Sequence, residues 1–191
     1  MKNSDLNSTD ILKMEFGYAK ETASQAINDR YTMLNYYIGI VTAVGSISAG
    51  LISTQKGNNV FVASAGLLLI TAIVGWVFLA IMLRLRQAWL SSLQTMNEVK
   101  SAYITSDSDL APALRWSNQT LPKAYKPWSI HYFSSLLIVA LNSLCLALAF
   151  GLYLFSINRR GMSVAISLGL FLFSTVLQLY IYRRVLAGNA S

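Results

Sequence analysis

Four stretches of this chain, 34–54, 60–83, 130–157 and 162–182, contain not one Asp, Glu, Lys or Arg. An ionisable side chain costs roughly 2.5 kcal/mol or more at the centre of a bilayer, and about 20 helical residues cross its hydrocarbon core. Uncharged runs of this length are expected as membrane spans and are seldom found in soluble helical cores. Only 12% of the residues are charged, against about 25% in soluble domains, and they crowd between the four stretches. The expected fold is an all-α membrane protein with four transmembrane helices in two hairpins. One part, 1–129, holds an N-terminal helix, the hairpin 34–54 and 60–83, and a polar segment. The other, 130–191, holds the hairpin 130–157 and 162–182 with a short tail.

The hairpin linkers are short and turn-rich, with Lys56 and Gly57 in the first and Arg159, Arg160 and Gly161 in the second. Two hairpins place both termini on one side. That side carries twelve of the fifteen Lys and Arg residues and the other carries Lys56, Arg159 and Arg160. The positive-inside rule makes the side with twelve cytoplasmic, giving an N-in, C-in, multi-pass protein of the inner membrane. Tyr36, Tyr37, Trp128, Tyr132, Tyr180 and Tyr182 fall at the cytoplasmic ends of the spans, where aromatic anchors are expected. All eight acidic residues lie on the same side, so its net charge is 12 − 8 = +4. The overall charge is a topology signal, and no nucleic-acid partner is expected. Arg84, Arg86, Lys123, Lys126, Arg183 and Arg184 sit at membrane borders, where contact with anionic lipid head groups is expected.

Residues 10–33 read as a helix behind the N-cap candidates Ser8, Thr9 and Asp10, with a mostly small stripe at Leu12, Phe16, Ala19, Ala23, Ala26 and Arg30. Nothing breaks the chain before 34, so helix and first span are expected as one rod. A second stripe, Leu85, Trp89, Leu93, Met96, Val99 and Tyr103, extends the second span through 84–105. The two extensions are expected to pair as an antiparallel cytoplasmic hairpin. Phe16, Ala19, Ala23, Arg30, Trp89 and Met96 are its candidate contacts for a cytoplasmic protein partner. Pro112, Pro122 and Pro127 make 110–129 a short helical turn followed by an interfacial loop.

No catalytic site, metal site or cofactor motif is found. The only histidine, His131, has no partner but the apolar-span Cys145, so interfacial packing is its expected role. No phosphate-binding glycine loop, HExxH or GxSxG occurs. No Asp, Glu, Lys or Arg lies within a span, and His131 sits only at the entrance of the third, which argues against a proton-coupled carrier. Asn142, Ser143 and Gln178 are the polar groups at depth and are expected to hydrogen-bond between helices.

The first span is the most informative stretch. Gly39, Thr42, Ala43, Gly45, Ser46, Ser48, Ala49 and Gly50 crowd it with small residues, many at four-residue spacings that let helix backbones touch. Packing inside the monomer is one reading. The other is a self-association face in a homo-oligomer, with Thr42, Ser46 and Ser48 along a narrow central path.

The segment from Glu15, Phe16, Gly17 and Tyr18 through Asp29, Arg30 and Tyr31, leading into a small-rich span, resembles bacterial membrane proteins of the SLATT type. The resemblance covers about residues 10–105. It implies a bacterial two-span effector module of a nucleotide-signalled defence system, acting as a membrane pore. This chain departs from that pattern by adding a second hairpin and carrying no fused nucleotide sensor. The expected function is a non-enzymatic oligomeric membrane protein, pore-forming and gated from its cytoplasmic helices. A membrane scaffold that recruits a cytoplasmic partner and a small-molecule carrier are the alternatives.

Overall fold

The first proline of the chain is Pro112, so little can stop a helix in the N-terminal half apart from the turn around Gly57. The computed structural model describes residues 8–55, 57–106 and 121–188. It holds two very long helices, α1 (Ser8–Thr54) and α2 (Asn58–Ser106), then α3 (Ile130–Ser156) and α4 (Arg160–Gly188). The 47 residues of α1 make a rod of about 70 Å at ~1.5 Å per residue. All four helices are long and apolar enough to cross a membrane. The expected helix 10–33 and span 34–54 are one uninterrupted element, as are 60–83 and 84–105. Helix α4 passes the expected end at 182 and continues to Gly188, because no proline or turn residue interrupts 183–187. The segment 121–129 is loop, and the rest of the helical turn expected in 110–129 lies outside the described residues.

The α3–α4 connection shows how side chains set these ends. Asn158 takes the left-handed conformation, φ 62°, which asparagine tolerates better than most residues. Its N–H reaches the Phe155 carbonyl (3.2 Å) and the Arg159 N–H reaches that of Leu154 (3.0 Å). This is a Schellman closure that satisfies the last carbonyls of α3. The expected turn glycine, Gly161, is already inside α4. At the other end of α3, the Ser129 side chain accepts from the Tyr132 N–H at 3.2 Å as an N-cap.

The helices pack in sequence order: α1 on α2, α2 on α3, α3 on α4. Contacts of α1 with α3 and of α2 with α4 are slight, and α1 and α4 do not meet among the described residues. The result is a row with two interior and two edge helices rather than a closed four-helix bundle. In the most apolar windows of α2 and α3, 39% and 44% of residues are buried, against 11% in α1 and α4. One packed cluster joins Tyr37, Leu79, Met82, Leu83, Ile138, Val139, Tyr182 and Leu186, and a second joins Leu68, Ala72, Cys145 and Ala149. Lipid tails are as apolar as leucine, so in a bilayer such clusters hold helices by close packing rather than by escape from water.

Two of the expected aromatic anchors belong to this core. Tyr37 is fully buried and its ring lies 5.2 Å from that of Phe78. Tyr182 is buried against His131, ring centroids 6.1 Å apart. Tyr36, Trp128 and Tyr180 are exposed, as an anchor must be. Tyr36 and Tyr37 are 100° apart around the helix, and only the second points at α2.

Candidate functional site

Helix α1 has a continuous stripe facing the rest of the chain. Ala19, Ala23 and Ala26 are buried in its N-terminal half, Tyr37 and Ser48 in its apolar half, with Val41 and Val44 half-buried between them. These positions recur every three or four residues, so one side of a straight helix packs along its whole length. Across from it, α2 buries Ser92, Asn97 and Val99 in its own extension. Lys100 places its ammonium 5.9 Å from the centre of the Phe16 ring. Ala19 and Ala23, expected as contacts for another protein, are instead covered by α2, where small side chains allow the close approach. Phe16, Arg30, Trp89 and Met96 are half-buried.

The opposite side of α1 carries the small residues except Ser48, expected along the path but buried on the inward stripe. Gly39, Thr42, Ala43, Gly45, Ser46, Ala49 and Gly50 are all exposed. A Cβ added at Gly39, Gly45 or Gly50 would meet nothing within 4 Å. At 100° per residue, Gly39, Ser46 and Gly50 lie roughly opposite Tyr37 and Ser48. Among the described residues the side chains of Thr42 and Ser46 make no hydrogen bond, whereas Ser53 and Thr54 of the same helix donate to the Gly50 carbonyl at 2.9 and 2.8 Å. The monomer therefore leaves this face without a packing partner.

Small size has a clear internal use elsewhere. At Gly75 of α2 a Cβ would lie 2.5 Å from both the Tyr37 hydroxyl and Asn142 Oδ1. Tyr37 comes from α1 and Asn142 from α3, so the missing side chain lets three helices meet. Asn142 Nδ2 donates to Gln178 Oε1 of α4 at 2.9 Å. Gln178 Nε2 donates in turn to Ser143 Oγ (3.1 Å) and Ser174 Oγ (2.8 Å). The Tyr37 hydroxyl and Asn142 Oδ1 have no partner of their own. The expected interhelical role of Asn142, Ser143 and Gln178 is observed. Ser174, Gly75 and Tyr37 escaped sequence reasoning, although a single glycine amid Ile73, Val74, Trp76 and Val77 was an available signal.

A basic cluster closes the border between the apolar and polar parts of the row. Arg86 is only 8% exposed, so it is not the free head-group contact expected of it. Its Nε donates to the Ala124 carbonyl (3.3 Å) and its Nη2 to that of Lys123 (3.1 Å). Its guanidinium also lies 4.5 Å from the centre of the Trp89 ring. Arg86 thus ties the loop before α3 to α2. Arg84, Lys123, Lys126, Arg183 and Arg184 are exposed. Among the described residues no three His, Cys, Asp or Glu side chains come together.

No protein-family model, no curated protein and no solved structure matches this chain.

Proposed function

We propose that this protein is a non-enzymatic membrane protein that assembles with copies of itself through the small-residue face of α1, forming a path across the membrane lined in part by Thr42 and Ser46. The observation that carries the reading is that this face is open in the monomer, with two hydroxyls lacking acceptors. A hydroxyl left in hydrocarbon without an acceptor is unfavourable. A second helix or a file of water would supply one. Close backbone approach between copies suits Gly39, Ala43 and Gly50, and gains packing contacts that lipid tails cannot match. In this reading the N-in, C-in orientation holds, the α1 and α2 extensions form a cytoplasmic stalk, and the stalk transmits a signal to α1 because helix and span are one rod. The location proposed is a bacterial inner membrane. Reconstitution into liposomes tests it: solute release or conductance should appear with wild type and fall when Thr42 and Ser46 are both replaced by leucine. Wild-type liposomes as tight as protein-free ones would remove the path.

One observation favours the scaffold reading as the second. Ile11, Met14 and Tyr18 are 50%, 70% and 68% exposed and share one face of α1, with Tyr18 at the edge of the groove where α1 meets Ala88, Ser91 and Thr95 of α2. Such a stripe on the stalk suits a protein partner. Replacing Met14 and Tyr18 by glutamate should then release a co-purifying protein while leaving self-association intact.

A further inference from the structure

Where the loop before α3 meets the two long helices, a cavity of about 200 Å³ is walled by Arg30 of α1, Arg86 and Trp89 of α2, and Ser129, Ile130 and His131 at the start of α3. Arg30 and Arg86 thus bring two positive charges to one small space. No Asp or Glu lines it, and neither guanidinium makes an ion pair among the described residues. Arg30 Nε is buried without a hydrogen-bond partner. Its guanidinium lies 4.7 Å from the centre of the adjacent Tyr31 ring. Arg86 is fixed by Nε and Nη2 on the loop carbonyls, which leaves Nη1 unused. His131 is 97% buried (3% exposed), and its Nε2 also lacks a partner.

The third wall adds the same polarity. Ser129 caps the Tyr132 N–H, and the Phe133 N–H bonds to the Ser129 carbonyl. The N–H groups of Ile130 and His131 remain as first-turn donors with no acceptor inside the helix. The positive end of a 27-residue helix therefore opens toward two guanidiniums. Helix N-termini and arginines are the two devices by which proteins most often hold oxyanions. Two like charges around one cavity repel each other, and an anion between them converts that repulsion into two attractions.

We propose that this cavity binds a phosphate-type oxyanion, held by Arg30 and Arg86 against the N-terminus of α3. Its size suits a phosphate group with a few waters, each taking about 30 Å³ in the liquid. Drug-sized ligands need roughly 300 Å³ or more. The group can belong to an anionic phospholipid or to a soluble phosphate. Occupancy would clamp α1, α2 and α3 together at the point where the stalk meets the apolar helices.

The test uses the full chain in neutral detergent, delipidated. Inorganic phosphate is titrated against chloride at matched ionic strength, and short-chain phosphatidylglycerol against phosphatidylcholine, with the thermal unfolding midpoint as the readout. Wild type is compared with Arg30→Gln and with Lys20→Gln, which removes the same charge from an exposed site away from the cavity. Among the described residues Arg30 makes no hydrogen bond, so its replacement should leave the fold intact. The proposal expects saturable binding of one probe, weakened about tenfold or more by Arg30→Gln and unchanged by Lys20→Gln. Saturation by phosphate assigns the site to a soluble anion. Saturation by phosphatidylglycerol alone assigns it to a lipid head group. Binding of neither probe above its control, or equal binding by Arg30→Gln and wild type, overturns the proposal.

Discussion

Gly75 and Gly39 are both helical glycines in apolar stretches, and they could hardly be placed more differently. Around Gly75 a single added carbon would strike side chains from two other helices. Around Gly39 there is open space, as there is around Gly45 and Gly50. Smallness at Gly75 is thus accounted for inside the chain, by the meeting of Tyr37, Asn142 and the α2 backbone. At Gly39, Gly45 and Gly50 of α1 the same property has no use within the monomer. The interior of the row explains its own composition; the edge does not, and it is there that a second copy is proposed to bind.

The largest effect should follow from filling the interior. Gly75→Leu places four carbons where one does not fit, and overpacking typically costs about 1–3 kcal/mol or more. Unfolding in detergent should show a marked loss of stability, while Gly39→Leu should leave the monomer within about 0.5 kcal/mol of wild type. Equal stability of the two variants would erase the contrast between interior and edge. Gln178→Leu comes next. It removes the acceptor of Asn142 Nδ2 and the donor shared by Ser143 and Ser174. Hydrogen bonds of this kind between membrane helices contribute about 0.6 kcal/mol on average and up to ~1.7, so a loss of about 1–2 kcal/mol is expected from equilibrium unfolding. The smallest effect has the opposite sign. Gly17 lies within the N-terminal part of α1 with nothing within 4 Å of a Cβ. Gly17→Ala should therefore stabilise by about 0.5–1 kcal/mol, seen as slower proteolysis of the extension.

How legible these regions were depended on whether a property runs along the chain or around it. Uncharged stretches and unbroken runs are linear features, and they located all four helices and the fusion of 10–33 with 34–54. The stripe Ala19, Ala23, Ala26 was equally readable, since a three- and four-residue spacing marks one face. What a sequence does not display is which partner a face meets. Tyr36 and Tyr37 are indistinguishable in one dimension, yet one is exposed and the other fully buried. Arg86 looked like Arg84 until the loop carbonyls of Lys123 and Ala124 closed over it. Gly75 was passed over because its reason lies on α1 and α3, 38 and 67 residues away in the chain. The eight small residues of the first span were seen at once, and the structure adds that seven face outward while Ser48 is buried.

The central claim is that this outward face joins copies of the chain. Its most direct test is native mass spectrometry of the protein released from lipid nanodiscs, wild type beside a Gly39→Leu/Ser46→Leu variant. Both substituted positions are exposed, so the variant monomer should fold normally. The account predicts a defined oligomer for wild type and monomers for the variant. A wild-type monomer, or an oligomer that the variant preserves, would contradict it.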